Sequence, residues 1–302
     1  MNTGYLHPLY MHALSEFGTP HALPLSGGWL LEREIGNGRY TDAMGSYPIF
    51  TCQNWNCLRE DLDALPKDLV SIALVTDPFG EYDKSYLQDC FPDLILPFKK
   101  HYVVNLSDAP HNKINKRHRA YARQALRYLC IELIANPPAY LDEWDVLYNN
   151  LIQRHQLHGM HSFSRESFAW QLQVPGLAGF RAEYRGETAG MLWCYQQGDI
   201  VYAHLNAMSE LGYDLHASYA LHWAAIAYLA GHAQWLDLGG GAGVHCNGRD
   251  GLSQFKRGWT SETRMAYFGG RIINRTAYAS LTQANRLPPT CYFPAYRQGE
   301  FL

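Results

Sequence analysis

The sequence predicts a mixed α/β fold, and three features of its second half lead to that prediction. Runs that alternate between apolar and polar residues, joined by short turns, predict an antiparallel meander over 180–208. An alanine-rich segment that is apolar nearly all round then predicts a buried helix over 219–230. Another strand is expected at Trp235–Leu238, and a strand–helix–strand crossover makes its two strands parallel. Helices packed on a sheet of mixed strand direction are therefore expected.

The first half predicts a smaller α/β layer. Leucines at helical spacing after Trp55 indicate a helix that Pro66 stops. Strands are expected at Trp29–Glu34, Val70–Val75 and Tyr102–Leu106. The clearest break in the chain is Asn136-Pro137-Pro138, so we expect one domain over 1–136 and a second over 137–302.

Helices with recognisable ends follow the break. Apolar residues from Trp144 to His155 mark one helix face, and Ser164 is a suitable N-cap for a helix at Arg165–Leu172. Ser218 is expected to cap the buried helix, with Gly231 at its C-terminal end.

Composition bounds the class of protein. The chain has 302 residues, 47% hydrophobic and 18% charged, which is typical of a globular protein. A net charge of −3 gives no sign of DNA binding. The first residues lack the pattern of a signal peptide, and no apolar run approaches the roughly 20 residues of a membrane span. Seven cysteines without C-x-x-C spacing suggest reduced thiols, so a soluble, cytoplasmic protein is expected.

One segment is strongly basic. No acidic residue lies between Asp108 and Glu132, and the composition of Lys113–Arg127 favours a helix. Such a helix in a slightly acidic protein implies an anionic neighbour: phosphates of a donor or acceptor, RNA, or the protein's own acids. A solvated charged face is the plainer interpretation. The residues proposed to bind a donor here are Lys116, Arg117 and Arg119.

The stretch from Trp235 to Trp259 is rich in glycine and allows two interpretations. Its first part, Asp237 to Gly243, matches the acidic-x-Gly-x-Gly-x-Gly pattern of S-adenosylmethionine-dependent methyltransferases. That fold needs a helix directly after the glycines and a doubly wound sheet beyond it. Residues 244–251 instead favour a turn, and only about 60 residues remain. The stretch is therefore expected to be a long turn that delivers Phe255 and Lys256 to a cleft.

The order of two helices, a meander, a buried helix and a strand is that of an N-acetyltransferase (GNAT) fold, and short motifs in that order add to it. They are Lys116-Arg117-x-Arg119, Val201-Tyr202-Ala203-His204-Leu205-x-Ala207, Ala217-Ser218-Tyr219-Ala220-Leu221, Leu236-Asp237-Leu238-Gly239-Gly240 and Gly251-Leu252-x-x-Phe255-Lys256-Arg257-Gly258. With them, residues 114–274 resemble FemAB-like acyltransferases of the GNAT superfamily, including those linked to bacterial polysaccharide biosynthesis. The resemblance implies two tandem GNAT-like domains with a cleft between them, the first domain being degenerate.

The resemblance leaves two donors open. Acetyl-CoA enzymes of this superfamily hold the pyrophosphate with a glycine-rich loop at a helix N-terminus. The corresponding segment here, Ser209–His216, has one glycine and two acids, which disfavours a pyrophosphate. Fem-type relatives use aminoacyl-tRNA instead, which would give the basic helix a purpose. Acyl-CoA and aminoacyl-tRNA are thus the candidate donors, with tRNA as a partner in the second case.

Candidate catalytic residues follow from the needs of acyl transfer, which are a proton acceptor and a group that stabilises the oxyanion. Lys256 is the candidate cation; a surface lysine beside a core phenylalanine is the alternative. His204 is the candidate base, and a core histidine is equally expected. Asp237 would orient that base or bind the amine, unless it only caps the glycine turn.

Further residues are expected to contact the substrate or donor. The resemblance implies such a role for Phe255, and Arg257 and Ser218 join it as candidates. Strand alternation places Tyr202 and Asn206 on one face with His204. No metal site is expected, because the spacing of His155, His158 and His161 lacks a nearby carboxylate or cysteine.

We therefore expect an enzyme that transfers an acyl or aminoacyl group to an amine. The acceptor would be a small molecule or glycan precursor, such as a sugar-nucleotide, peptidoglycan or polysaccharide precursor. A non-catalytic ligand-binding protein on the same fold is the first alternative, favoured by the unusual Ser209–His216 segment. The methyltransferase is the second.

Overall fold

A computed structural model describes residues 2–36, 38–243, 248–284 and 292–300. By their contacts the residues form two compact units. The first contains Met1–Leu9 and Lys100–Arg264, and the second contains Tyr10–Lys99 and Met265–Leu302. This division differs from the boundary expected at residue 136, which falls inside the first unit. The turn expected at residues 244–247 lies outside the described residues.

The strands are β1 Thr19–Ala22, β2 Trp29–Ile35, β3 Tyr40–Gly45, β4 Ser71–Val75, β5 Leu94–Asn105, β6 Cys130–Ile134, β7 Leu177–Tyr184, β8 Glu187–Gln197, β9 Ile200–Met208, β10 Trp235–Asp237 and β11 Thr263–Ile272. The helices are α1 Pro8–Ala13, α2 Leu58–Ala64, α3 Lys84–Cys90, α4 Pro110–Lys113, α5 Lys116–Ala125, α6 Leu141–His155, α7 Arg165–Gln171, α8 Glu210–Asp214, α9 Ala217–Leu229, α10 Gly251–Arg257 and α11 Arg275–Ala284. No helix in the described part of the chain is long and apolar enough to cross a membrane.

The second unit is built on the strand order β1-β2-β3-β4-β11. Strands β3 and β4 are parallel, and the other neighbours are antiparallel. Its largest apolar side chains, among them Phe50, Trp55 and Phe91, form one core with leucines of α2 and β4. The strands predicted at 29–34 and 70–75, and the helix that follows Trp55, are confirmed.

The first unit holds the strands β5-β10-β9-β8-β7-β6, in which β9 and β10 are parallel and the rest antiparallel. Helix α9 packs on one face, where its leucines and alanines meet Leu192, Val201 and Leu236. Aromatic side chains cover the other face, with Trp144 of α6 against Trp193 of β8. The predicted meander, buried helix and parallel strand are confirmed, and the sheet is mixed as expected.

The Asn136-Pro137-Pro138 segment, where the sequence suggested a domain boundary, does not separate two sheets. Strand β6 precedes it and pairs along its whole length with β7, which follows it. The prolines after Asn136 form only a short 3-10 helix, Pro137–Tyr140, that leads into α6.

Two helix ends differ from expectation. Helix α9 begins at Ala217 because His216, in the left-handed region at φ 58°, reverses the chain directly after α8. Ser218 therefore lies in the first turn and is not the N-cap that the sequence predicted. The turn expected before Phe255 is shorter than predicted, because its last part, Gly251–Arg257, forms α10.

The start of α10 is set by an aspartate. Asp250 is the N-cap, and its carboxylate accepts hydrogen bonds from the Ser253 backbone N–H at 2.8 Å and the Ser253 hydroxyl at 2.6 Å. Ser253 is fully buried, so this carboxylate also satisfies a hydroxyl that has no access to water.

Replacing the cap tests its contribution to stability. Asp250→Ala should lower the free energy of unfolding by about 1–2 kcal/mol, because a capped N–H and a buried hydroxyl both lose their acceptor. The thermal midpoint should fall by about 2–4 °C for each kcal/mol. Asp250→Asn keeps an acceptor oxygen and should stay near the parent value. Equal midpoints for the two variants in a thermal melt would rule out the cap.

Candidate functional site

The glycine turn after β10 is anchored at its base by Asp237. This carboxylate is 2% exposed, and its Oδ1 accepts the backbone N–H of Gly239 at 2.7 Å. Gly239 adopts φ +77°, a conformation that favours glycine. Its carbonyl accepts the N–H of Tyr102 of β5 at 3.1 Å, so the turn continues the pairing of β5 with β10. The backbone is therefore fixed where the strand ends.

The second oxygen of Asp237 binds a histidine that the sequence analysis did not identify. Nδ1 of His101 lies 2.8 Å from Oδ2, and the two side chains are 9% and 2% exposed. The pair forms because β5 runs antiparallel to β10, with Val103 opposite Asp237. Asp237 thus both caps the turn, as one of the two predicted alternatives, and orients a histidine, although a different one from His204.

Lys256 lies on the same turn. It occupies the last turn of α10, and its ammonium donates to the carbonyl of Gly240 at 2.6 Å. A Cβ built on Gly239 would come within 3.1 Å of this Nζ. The structure therefore brings Lys256 and Asp237 together through the two glycines, with the half-buried cation held against main-chain atoms.

Phe255 belongs to a group of rings beneath Lys256. Its ring contacts Tyr219 and His222 of α9, each at a centroid distance of 5.1 Å, and its carbonyl accepts Nε2–H of His118 at 2.8 Å. The buried Nδ1 of His118 has no hydrogen-bond partner in the described chain. Phe255 is thus partly buried against α9. Lys256, the next residue of α10, lies on the glycine turn.

Burial and nearby positive charges act on His222 of α9. The pKa of His222 is lowered to about 4, mainly by burial and also by the positive charges of Lys256 and His118, against the opposing effect of the hydrogen bond to Ser218. Its Nδ1 lies 2.8 Å from the carbonyl of Ser218. His222 is therefore neutral at pH 7, and Ser218 contributes a backbone acceptor to it.

Two hydrogen bonds of His204 go to residues outside the turn. Its Nδ1 is 3.1 Å from the Tyr5 hydroxyl and its Nε2 is 2.9 Å from Oε1 of Gln171, so both ring nitrogens are engaged. Burial lowers the pKa of His204 to about 3. It lines, with Gln171 and Trp193, a small cavity of about 10 Å³, at the lower limit of the space that one water molecule needs. This environment is that of a core histidine.

Strand β9 does not keep the alternation expected around His204. The register with β8 passes from Trp193 opposite Leu205 to Cys194 opposite Ala203, which leaves His204 as an extra residue in a bulge. Tyr202 stays on the face of His204, where both rings contact Tyr5. Asn206 is paired with Leu192 and lies on the opposite face, towards α9. The prediction of one shared face is therefore wrong for Asn206, whose buried Oδ1 lacks a partner in the described chain.

The basic helix α5 presents its charges to solvent beside α9. Lys116 and Arg117 are exposed and Arg119 is partly exposed. The guanidinium of Arg117 lies 5.4 Å from the ring centre of Tyr121 and donates to its hydroxyl at 3.3 Å. Tyr121 in turn contacts the ring of Tyr219 at 4.9 Å. A row of rings therefore runs from the exposed basic helix to Phe255.

The structure also shows the surroundings of the Ser209–His216 segment and of Arg257. In the segment after β9, a Cβ on Gly212 would approach the Ala189 carbonyl to 1.8 Å, so this glycine allows α8 to lie on β8. Arg257 is exposed and donates to the carbonyl of Gly248 at 2.7 Å.

Within the described ranges no group of three or more His, Cys, Asp or Glu residues is placed to hold a metal ion.

Comparison with known proteins identifies the fold. No protein-family description and no curated protein sequence matches the chain. The solved structure of FemX superimposes with a TM-score of 0.68 over 90% of this chain and 93% of its own, at 14% identity. The C-terminal domain of a candidate lysylphosphatidylglycerol synthetase from Agrobacterium fabrum gives 0.63 over 95% and 92%, also at 14% identity. L-PGS from Bacillus licheniformis gives 0.56 over 95% and 98%, at 13% identity.

These likenesses concern the fold. The chain has the mixed α/β, GNAT-like fold that FemX shares, and the resemblance to FemAB-like proteins seen in the sequence is confirmed at that level.

The low pKa of His204 predicts a pH dependence of stability. The histidine binds a proton in the unfolded chain near pH 6.5 but stays neutral when folded down to about pH 3. The unfolded state therefore gains protons first, and stability is lost as the pH falls below 6.5. At about pH 5 this should cost up to about 2 kcal/mol relative to pH 7.

Urea unfolding at the two pH values measures the effect. His204→Gln should show a smaller loss of stability between them than the parent protein. His232→Gln, which replaces an exposed histidine, serves as the control and should behave like the parent. An unchanged pH slope in His204→Gln would refute the buried, neutral state.

Proposed function

We propose that the protein transfers an acyl or aminoacyl group to an amine, and that the reaction takes place at the glycine turn after β10. The observation that carries the proposal is the position of Lys256, whose ammonium is held on the Gly240 carbonyl beside the anchored Asp237. A cation in a fixed place at the end of a central strand is the arrangement that oxyanion stabilisation requires. The likeness to FemX in fold supports the same class of reaction.

The chemistry assigned to Lys256 is electrostatic. When the amine attacks the donor carbonyl, negative charge develops on the carbonyl oxygen, and the ammonium lowers the energy of that state. Because Lys256 is only half exposed, water screens this interaction less than at an open surface. Phe255 would pack against the donor beside it, and Arg257 and Tyr202 remain candidate contacts.

Aminoacyl-tRNA is the donor we favour over acyl-CoA. The single glycine of the 209–216 segment is used to pack α8 on β8, and Ser209 caps that helix, so neither is reserved for a pyrophosphate. The exposed basic residues of α5 provide a surface for RNA phosphates, and rings lead from it towards Phe255. Lys116, Arg117 and Arg119 would bind the acceptor stem.

The acceptor we propose is an amine on a cell-envelope precursor, such as a sugar-nucleotide, peptidoglycan or polysaccharide precursor. The name of the Agrobacterium neighbour adds a phosphatidylglycerol lipid, which would accept the group on a glycerol hydroxyl instead of an amine, to the acceptors worth assaying. A non-catalytic binding protein is the competing account, and it predicts donor binding without any transfer.

Replacing Lys256 tests the centre of the proposal. Lys256→Gln should lower kcat for transfer at least 100-fold, because one stabilising group of an oxyanion is worth roughly 10²–10³ in rate. The assay follows label from charged tRNA, or from acetyl-CoA, to UDP-N-acetylmuramoyl pentapeptide or to phosphatidylglycerol vesicles. Lys113→Ala, which removes an exposed lysine of the same unit, is the matched control and should retain full activity. Activity of Lys256→Gln within a few-fold of the parent would contradict the assignment.

Charge removal on α5 tests the choice of donor. The double variant Lys116→Ala/Arg119→Ala should weaken tRNA binding and make its affinity less sensitive to salt, by roughly 0.7–0.9 in the log–log slope for each lost phosphate contact. Arg185→Ala, at an exposed turn between β7 and β8, is the control. Fluorescence anisotropy with labelled tRNA at several salt concentrations gives both quantities. Equal slopes for the three proteins would exclude α5 as the RNA surface.

A further inference from the structure

The buried pair His101–Asp237 has no role in the sequence-based account of the site. Nδ1 of His101 lies 2.8 Å from Oδ2 of Asp237, and the other carboxylate oxygen is occupied by the N–H of Gly239. A carboxylate that accepts from Nδ1 fixes the imidazole in the tautomer whose Nε2 carries the lone pair. Within the described residues, Nε2 of His101 makes no hydrogen bond. The pair is thus oriented for proton acceptance.

The His101–Asp237 pair is connected through the glycine turn to Lys256, the cation of the proposed site. Gly239, whose N–H is bound by Asp237, is followed directly by Gly240, whose carbonyl binds Lys256. His101 adjoins the same turn, since the N–H of its neighbour Tyr102 donates to the carbonyl of Gly239. The His101 side chain keeps 9% of its surface exposed, and that of Asp237 keeps 2%.

Other histidines of the unit are less suited to accept a proton. Both nitrogens of His204 are engaged, and burial lowers its pKa to about 3. His222 is neutral with a pKa of about 4, next to a positive charge. His118 uses Nε2 on the carbonyl of Phe255, and its Nδ1 is enclosed. These environments make each of them a structural histidine.

We propose that His101 is the general base of the transfer reaction and that Asp237 positions it. This inference rests on the proposed function. The acceptor nitrogen forms a bond to the donor carbonyl carbon, and the carbonyl electron pair moves to oxygen beside Lys256. The amine proton passes to Nε2 of His101. On collapse, the bond from carbon to the ester oxygen of the tRNA, or to the thioester sulfur of CoA, breaks, and the leaving group takes that proton.

Three variants test the proposal in the transfer assay. His101→Gln should lower kcat roughly 10²–10⁴-fold with little change in KM for the donor, since a base acts in the transition state. Asp237→Asn should lower kcat at least tenfold, because its amide can donate to Nδ1 and select the opposite tautomer. His101→Ala leaves space beside the turn, and added imidazole should restore part of its rate. His232→Gln is the control and should keep the parental rate.

The outcomes distinguish a failure of this inference from a failure of the proposed function on which it rests. Restoration of the His101→Ala rate by imidazole, with a thermal midpoint near that of the parent, supports the base. A His101→Gln rate within threefold of the parent overturns it, as does a loss in His101→Ala that imidazole does not repair, which would assign the pair a structural role. Absence of transfer by the parent protein with every donor tested would instead refute the proposed function.

Discussion

A buried carboxylate determines the geometry at the centre of the first unit. Asp237 ends β10 with 2% of its surface exposed, and a charge in that position is tolerated only when its oxygens are hydrogen-bonded. The Gly239 N–H and the His101 imidazole supply those bonds. The first bond sets the path of the glycine turn, and the second fixes a side chain of β5 beside it. Both elements of the candidate site thus depend on one acid.

The Lys256 ammonium is positioned by helix α10. Asp250 caps α10 through Ser253, and the helix then carries Phe255 into the α9 core and Lys256 onto the Gly240 carbonyl. A flexible turn would leave a lysine side chain free among several rotamers, at a cost of up to about 2 kcal/mol to order it. The short helix places the ammonium before any substrate binds. This is the kind of preorganisation that electrostatic catalysis uses.

The sequence predicted those elements that depend on residues close together in the chain. The meander, α9 and β10 were predicted because alternation, turns and apolar periodicity are visible within a few residues. The bulge at His204 was not, since a single extra residue in β9 leaves the composition unchanged and yet moves Asn206 to the other face. His101 was also missed, because its partner Asp237 is 136 positions away and only the pairing of β5 with β10 joins them. An aspartate at the end of a predicted strand was the one available sign that such a partner exists.

The most direct test of the account is the position of a bound donor relative to Lys256. A crystal structure with a non-hydrolysable analogue, in which an amide replaces the ester of an aminoacylated RNA end or the thioester of acyl-CoA, would show it. The account predicts that the carbonyl oxygen lies about 3 Å from Nζ of Lys256, the distance at which oxyanion donors act. The carbonyl carbon should then be open to an amine on the side of His101. A carbonyl bound elsewhere in the first unit, out of reach of Lys256, would contradict the assignment of the glycine turn as the reaction centre.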